Sequence, residues 1–326
     1  MDWIEDTFGL AQQWLYETLM QPVMFALGEG NRLEDAYAAS GWLLAGLIQI
    51  AVLVAVIGPL QRWRPVEPVR DRATVRTDVI YTLIHRLGLF RVGLFFLVDP
   101  IFDMFFGVLR VAGVGTLHLD QLWPGITEHA LVSLVIYLVV FDFVEYWMHR
   151  GQHHFNWWWS LHSLHHAQRQ MTMWSDNRNH LLDDLLRDGL LVLLAQLIGV
   201  APGQFVAIVA ITQLSESLQH ANLRLWFGRV GERLWISPRF HRLHHSIGLG
   251  HESGNDGLVV NGRSPALGGH NFGVLLPWWD MLFRTANFDV RYHATGVRDQ
   301  VEHGREYGRG FWSQQWLGLL RLVGKA

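Results

Sequence analysis

The stretch ALVSLVIYLVVFDFVEYWMHRGQHHFNWWWSLHSLHH, residues Ala130 to His166, decides how this chain folds. Its first part, Ala130 to Phe141, carries no charge and is built of residues that suit a buried or lipid-facing helix. Ionisable groups enter at Asp142 and Glu145, and the run then delivers His149-Arg-Gly-Gln-His153 and His162-Ser-Leu-His165-His166. Residues three and four apart share one face of a helix, so each cluster presents two or three imidazoles to a common point. An apolar helix that ends in such a cluster predicts a site at a membrane surface.

Working outward, the same spacing returns in His241-Arg-Leu-His244-His245. The chain has eighteen histidines, none before His85, and eleven of them fall from His149 to His245. One HxxxH arises easily by chance, and a lone histidine is usually a surface residue. Eight at repeated helical spacing call for a metal. Clustered imidazoles repel one another when protonated and gain nothing when neutral, whereas a metal coordinates the neutral form. One ion takes about four to six protein ligands, so eight motif histidines point to two ions. His220 is a plausible ninth ligand, with Glu216 one turn before it; His180 is placed to be a ligand or to support one. Asp142, Glu145, Asp176, Asp183 and Asp184 lie near the clusters, where a carboxylate can accept the second ring N–H of a ligating histidine. Asp142 and Glu145 are the better placed, since an ionisable group following an apolar run needs a partner.

The rest of the 326 residues fits a membrane protein. Half are hydrophobic, 17% are charged, and sixteen Trp and eighteen Phe favour lipid and its interface. The net charge of -3 gives no footprint for nucleic acid. The absence of cysteine removes disulfides, thiolate haem, cysteine-ligated clusters and zinc ribbons. Residues 1–41 read as an N-terminal interfacial segment, with a helix over Asp6 to Leu27. Residues 42–220 read as membrane helices carrying the first two clusters, and 221–326 as a cytoplasmic cap carrying the third, together one functional unit.

Trp42 to Leu60 is long enough to cross a bilayer, and Arg62, Arg64, Arg70, Arg72 and Arg76 follow it. By the positive-inside rule that loop is cytoplasmic. Val79 to Leu109 is expected to hold one crossing plus an interfacial stretch, and Ala130 to Phe141 brings the chain back to the cytoplasm at His149. Leu190 to Leu214 is uncharged but broken by Ala201-Pro202-Gly203, which predicts a hairpin that keeps His180 and His220 on one side. The expected architecture is therefore all-α and multi-pass, with about four transmembrane or re-entrant helices under a histidine-rich helical cap.

With these residues in place, Asp78 to Thr285 resembles the fatty acid hydroxylase superfamily, the sterol desaturase-like membrane proteins. The resemblance rests on the ordered set His149–His153, His162–His165–His166 and His241–His244–His245. Weaker echoes are Asn177-Arg-Asn-His180, His220-Ala-Asn222, His270-Asn-Phe-Gly273 and Trp279-Asp280-Met-Leu-Phe283. Some fatty acid hydroxylases carry a further histidine where this chain has Glu216. The resemblance implies a membrane base under a cytoplasmic cap, a centre of two iron ions, and O2-dependent oxidation of an unactivated C–H bond in a lipid. Asn222 and His270 are, on the same grounds, possible ligands or supports of ligands.

The chemistry agrees, because breaking an alkyl C–H bond is beyond any side-chain acid or base and requires a redox metal. Hydroxylation and desaturation share a site and diverge only after hydrogen abstraction; the resemblance favours hydroxylation. No dinucleotide fingerprint or haem-attachment motif is present, so electrons are expected from a separate reductase, ferredoxin or cytochrome. Three rivals fit less well. A metal-binding transporter would place ligands at the bilayer midplane rather than past helix ends. A bis-histidine haem protein needs facing single histidines. A zinc hydrolase would show HExxH, whereas Arg150 follows His149.

Overall fold

A computed structural model describes residues 2–247 and 269–326; the part of the expected cap between them lies outside the described residues. Among the described residues the chain is helical, and its one β-type pairing is an isolated bridge between Ser246 and Thr295.

The N-terminal segment forms α1 (Asp2–Leu15), a π-helical turn and α2 (Gln21–Ala26), which lie against α3 (Leu33–Val52). Gln12 donates to the Tyr37 carbonyl at 2.9 Å, and the Tyr16 and Tyr37 rings meet edge to face. Helix α3 runs through a second π-helical turn into α4 (Gly58–Trp63), so the apolar segment Gly30–Trp63 spans 34 residues. The expected crossing at Trp42–Leu60 sits inside it.

Asp71 then caps α5 (Arg72–Arg86) by accepting from the Thr74 backbone at 3.0 Å. Gly46 of α3 meets the end of α5 so closely that any Cβ would overlap the Arg86 carbonyl. The region expected to hold one crossing plus an interfacial stretch is divided among α5, α6 (Leu89–Leu97) and α7 (Asp99–Val111). Gly88, at φ +79°, makes the first break, and Pro100 at the start of α7 the second.

Helix α8 (Ala130–His154) is one uninterrupted helix of 25 residues. It and Gly30–Trp63 are the two described helices long and apolar enough to cross a membrane. Phe155 ends α8 with an extended backbone, and α9 (Asn156–His166) turns back beneath it. The predicted hairpin is present as α10 (Leu181–Leu197) and α11 (Pro202–His220), with Pro202 in the first turn of the second arm, where its missing N–H costs nothing. Leu191, Ala195 and Ile198 from one arm and Ile208 from the other pack on Tyr137 and Phe141 of α8. Short helices α12 (Gly228–Gly231), α13 (Pro238–His244), α14 (Trp278–Leu282), α15 (Arg298–Glu302) and α16 (Phe311–Leu322) complete the chain.

Candidate metal centre

The nine histidines singled out above converge. Helix α8 supplies His149 and His153; α9 supplies His162, His165 and His166; α11 supplies His220 at its last turn. Helix α13, capped by Ser237 and started by Pro238, supplies His241 and His244, and His245 follows at its end. Their ring nitrogens fall into two sets of four, each within 4.8 Å of one another: His149, His153, His162 and His166, then His165, His220, His241 and His245. A third group, His166, His244 and His245, joins the two. His244 also faces the first set, with ring centroids 4.5 Å from His149 and 4.7 Å from His153. At the junction the rings of His166 and His245 stack at 4.3 Å.

The second set is tight. His165 and His220 bring Nε2 atoms to 3.2 Å, His220 and His241 to 3.2 Å, and His241 and His245 to 3.1 Å. Burial and the neighbouring imidazoles hold His165, His241 and His245 well below the ordinary histidine pKa, so these rings are neutral. A neutral ring has one donor and one lone pair. Nε2 atoms packed this closely either share N–H protons between tautomers or converge on a common cation.

Backbone and side-chain partners fix the ring orientations from outside. Nδ1–H of His149 donates to the Phe272 carbonyl at 2.8 Å, His244 to the His270 carbonyl at 2.7 Å, and His220 to the Glu216 carbonyl at 2.8 Å. His162 donates to Asp183 at 3.0 Å. Each of these bonds occupies Nδ1 and leaves the Nε2 lone pair for a metal. Accordingly Nε2 of His149 and His162 is buried with no hydrogen-bond partner; in His165, His241 and His245 the unpartnered buried atom is instead Nδ1. Buried polar atoms are normally paired. This orphaned, all-imidazole set therefore fits a transition metal such as iron, zinc or copper and is ill suited to Mg²⁺ or Ca²⁺.

One segment, residues 270–276, holds the arrangement from outside the imidazole sets. Its carbonyls face inward: His270 and Phe272 hold imidazoles, and Val274 accepts from Gln219 at 2.7 Å. Two buried aspartates grip its N–H groups. Asp280 accepts from Phe272 at 2.9 Å and Gly273 at 2.8 Å, and Asp142 accepts from Leu275 at 2.7 Å and Leu276 at 3.2 Å. Asn271 takes a left-handed conformation, φ 64°, and its side chain bonds Phe240 and Asn287.

Residues 134–285, which contain all nine histidines and both gripping aspartates, match the family model for fatty acid hydroxylase. Over that stretch the chain is similar to the fatty acid hydroxylase superfamily. Among curated proteins it is 28% identical to the ornithine lipid hydroxylase OlsE of Rhizobium tropici, over 77% of this chain and 70% of that protein. It is also 25% identical to the alkylglycerol monooxygenase of Caenorhabditis elegans, over 47% of this chain but only 26% of that protein. No solved structure matches.

The remaining expected residues occupy other places. Asp142, expected beside an imidazole, holds backbone N–H groups and the Trp279 indole. Glu145 pairs with Arg187 at 2.6 Å, and Glu216 meets the same guanidinium at 3.2 Å. Asp176 binds Arg86 and Ser217, and Asp184 lies 3.3 Å from His85. His180 lies outside the imidazole sets; it caps α10 through Nδ1, and its Nε2 lies 2.9 Å from the Gln315 carbonyl. Asn222 pins the arginine loop, accepting from Val66 and Glu67. His270 contributes its carbonyl, not its ring.

Asp183 has the role expected of Asp142 and Glu145, and it also accepts from Gln152 at 2.8 Å and Trp158 at 2.6 Å. The Trp run is thus divided. Trp157 is half exposed, Trp158 supports Asp183, and Trp159 lies against His153 and His166. Asp280, Gln219 and Arg187 were not singled out from sequence, although Asp280 sits in a quoted family echo.

Proposed function

We propose that the chain is a multi-pass membrane oxygenase that holds two iron ions on His149, His153, His162, His165, His166, His220, His241, His244 and His245, and hydroxylates a C–H bond of a membrane lipid. The observation that carries this reading is the pair of four-imidazole sets joined through His166 and His245. Bound iron supplies what no side chain can, the reductive activation of O2. The balance is RH + O2 + 2 electrons + 2 H⁺ giving ROH + H2O, with the electrons from a separate donor protein.

The protein's own contribution is positional. Phe272, His270, Glu216 and Asp183 fix the Nδ1 protons, neutral rings leave the charge on the ions, and burial keeps bulk water out. A small cavity of about 40 Å³ reaches the imidazoles along α8, α10 and α11, lined by Glu145, His149, His165, Glu216, His220 and Val274 among others. The arginine loop that follows Gly30–Trp63 is tied to α13 through Arg242 and Glu67 at 2.9 Å. This supports a site on the cytoplasmic face, with membrane helices 42–220 and cap 221–326 acting as one unit. The name of the Rhizobium relative supports a polar membrane lipid as substrate class.

The test is metal analysis of detergent-purified protein beside a His165→Ala/His244→Ala double variant, followed by O2 consumption and lipid mass spectrometry after iron loading. About two irons per chain, lost in the variant, and a lipid product heavier by one oxygen are the expected results. Failure to bind metal under any loading condition would overturn the reading.

A further inference from the structure

Five carboxylates line the small cavity beside the imidazoles: Glu145, Asp176, Asp183, Asp184 and Glu216. Arg187 lies 2.6 Å from Glu145 and 3.2 Å from Glu216, and Arg86 lies 2.8 Å from Asp176. A guanidinium keeps its proton, so these three acids have no proton to exchange with that partner. Asp183 takes N–H groups from Gln152, Trp158 and the candidate ligand His162. Asp184 differs. It faces His85, whose Nε2 lies 3.3 Å from the carboxylate and which is not among the candidate ligands.

This pair stands between two spaces. Asp184 lines the imidazole cavity, and His85 lines another of about 10 Å³ between α3, α5, α6 and α11, together with Gln49, Arg86, Gly88, Arg91 and Gln213. At about 10–15 Å³ for each water, the first has room for about three and the second for about one. Gly88, in the turn from α5 to α6, is partly exposed, whereas the side chains of His85 and Asp184 are only 9% and 7% exposed. The two side chains are thus a buried link from a cavity bordering that turn to the cavity at the imidazoles. The other charged or titratable groups around the pair are Asp183 and Asp188 on α10, Tyr81 and Arg86 on α5, and Arg91 on α6.

We infer that His85 and Asp184 form a proton relay into the metal cavity. The inference rests on the proposed oxygenase, whose reaction consumes two protons per turnover at a buried site, and it assigns the residues that deliver them. An imidazole takes up and gives away protons near neutral pH, and here a carboxylate stands ready to receive them. In each transfer the His85 imidazolium yields its Nε2 proton to Asp184, and the carboxyl group passes it to cavity water. The neutral imidazole then regains a proton from the side of Gly88. No electrons move in these steps, and the pair returns to its starting state. Ionisable groups that pair within membrane helices are the usual parts of such relays.

The experiment first asks whether the His85 ring proton communicates with bulk water. It uses full-length protein labelled with 15N-histidine, loaded with zinc and held in lipid nanodiscs. The His85 signal is the one lost in His85→Gln. In D2O it is expected to exchange several-fold faster than the Nδ1 protons of His149 and His220, which are held to backbone carbonyls. Iron-loaded His85→Gln and Asp184→Asn should keep the parent's iron content and lose about 100-fold in turnover. Imidazole in the buffer should restore His85→Ala several-fold, an effect that a purely structural role would not give.

A His85 proton that exchanges no faster than those of His149 and His220 would overturn the inference, as would parent-like turnover in both His85 variants. Loss of iron from His85→Gln and Asp184→Asn alike would also overturn it, because the pair would then be holding ligands in place. The exchange measurement needs no turnover, so the two readings separate. Lipid oxidation at the parent rate without His85 removes the relay alone, whereas a parent protein that binds no metal removes the proposed function.

Discussion

Nδ1 of His162 and the carboxylate of Asp183 lie 3.0 Å apart, and the same carboxylate takes N–H groups from Gln152 and Trp158. Three elements, α8, α9 and α10, therefore set the angle of one imidazole. Asp183→Asn replaces an ionised acceptor with a neutral amide, which weakens the hold on the ring and lowers its basicity. Metal affinity is expected to fall about 10- to 100-fold while helicity is unchanged, read by competition with a chelator beside circular dichroism. Unchanged affinity would show that α9 alone orients His162.

Asp280 acts one step further out, through the backbone of Phe272 and Gly273. Asp280→Ala leaves two buried N–H groups without acceptors, each costing about 1–3 kcal/mol, and frees the carbonyl that holds His149. Both thermal stability and metal content should drop. Asp280→Asn keeps one acceptor oxygen and should fall between the variant and the parent on both measures. If the Ala variant lost stability but kept its full metal content, the link to His149 would be broken.

The neutral imidazoles set a pH dependence for the metal-free protein. His165, His241 and His245 are held well below their ordinary value near 6.5 by burial, so the unfolded chain binds protons that the folded chain refuses. Their contribution is complete above about pH 6.5 and is lost as pH falls below it, each group adding up to about 1.4 kcal/mol per pH unit. Thermal melts of the metal-free protein should therefore weaken steeply from pH 7 toward pH 5. Metal-loaded protein should hold its melting temperature until acid displaces the ions. A flat profile for the metal-free protein would contradict the neutral assignment.

Gly46→Ala tests the scaffold rather than the site. A Cβ there would overlap the Arg86 carbonyl, and Arg86 is buried with its guanidinium on Asp176, Ser217 and Gln213. Helices α3 and α5 must separate, at a cost of about 1–3 kcal/mol or more. Gly93→Ala, where a Cβ meets nothing, serves as the control in the same melts.

What the sequence made legible follows from period and punctuation. The HxxxH and HxxHH spacings bring their histidines together because helices do form at those places, and Ala201-Pro202-Gly203 turns the hairpin as expected. Carboxylate roles were far less legible. Five acids lay within reach of the clusters, and spacing alone could not tell that Asp183, across from α9, meets the ring while Asp142 turns to backbone N–H groups beyond residue 270. The Phe272 carbonyl is invisible to any reading of side chains, since every residue has one. The breaks at Gly88 and Pro100 that divide Val79 to Leu109 among three helices were not legible, because its apolar content outweighed them.

The clasp of residues 270–276 also has a temporal meaning. His149 and the carbonyl that holds it are 123 positions apart, and ribosomes add about 5–20 residues per second. The first imidazoles therefore wait on the order of ten seconds for the segment that fixes their orientation. Over that interval α8 and α9 emerge as naked nitrogen donors open to any passing cation. The finished cage closes only once the tail of the chain has been made, so the full set of imidazoles can meet a cation only at the end of biosynthesis.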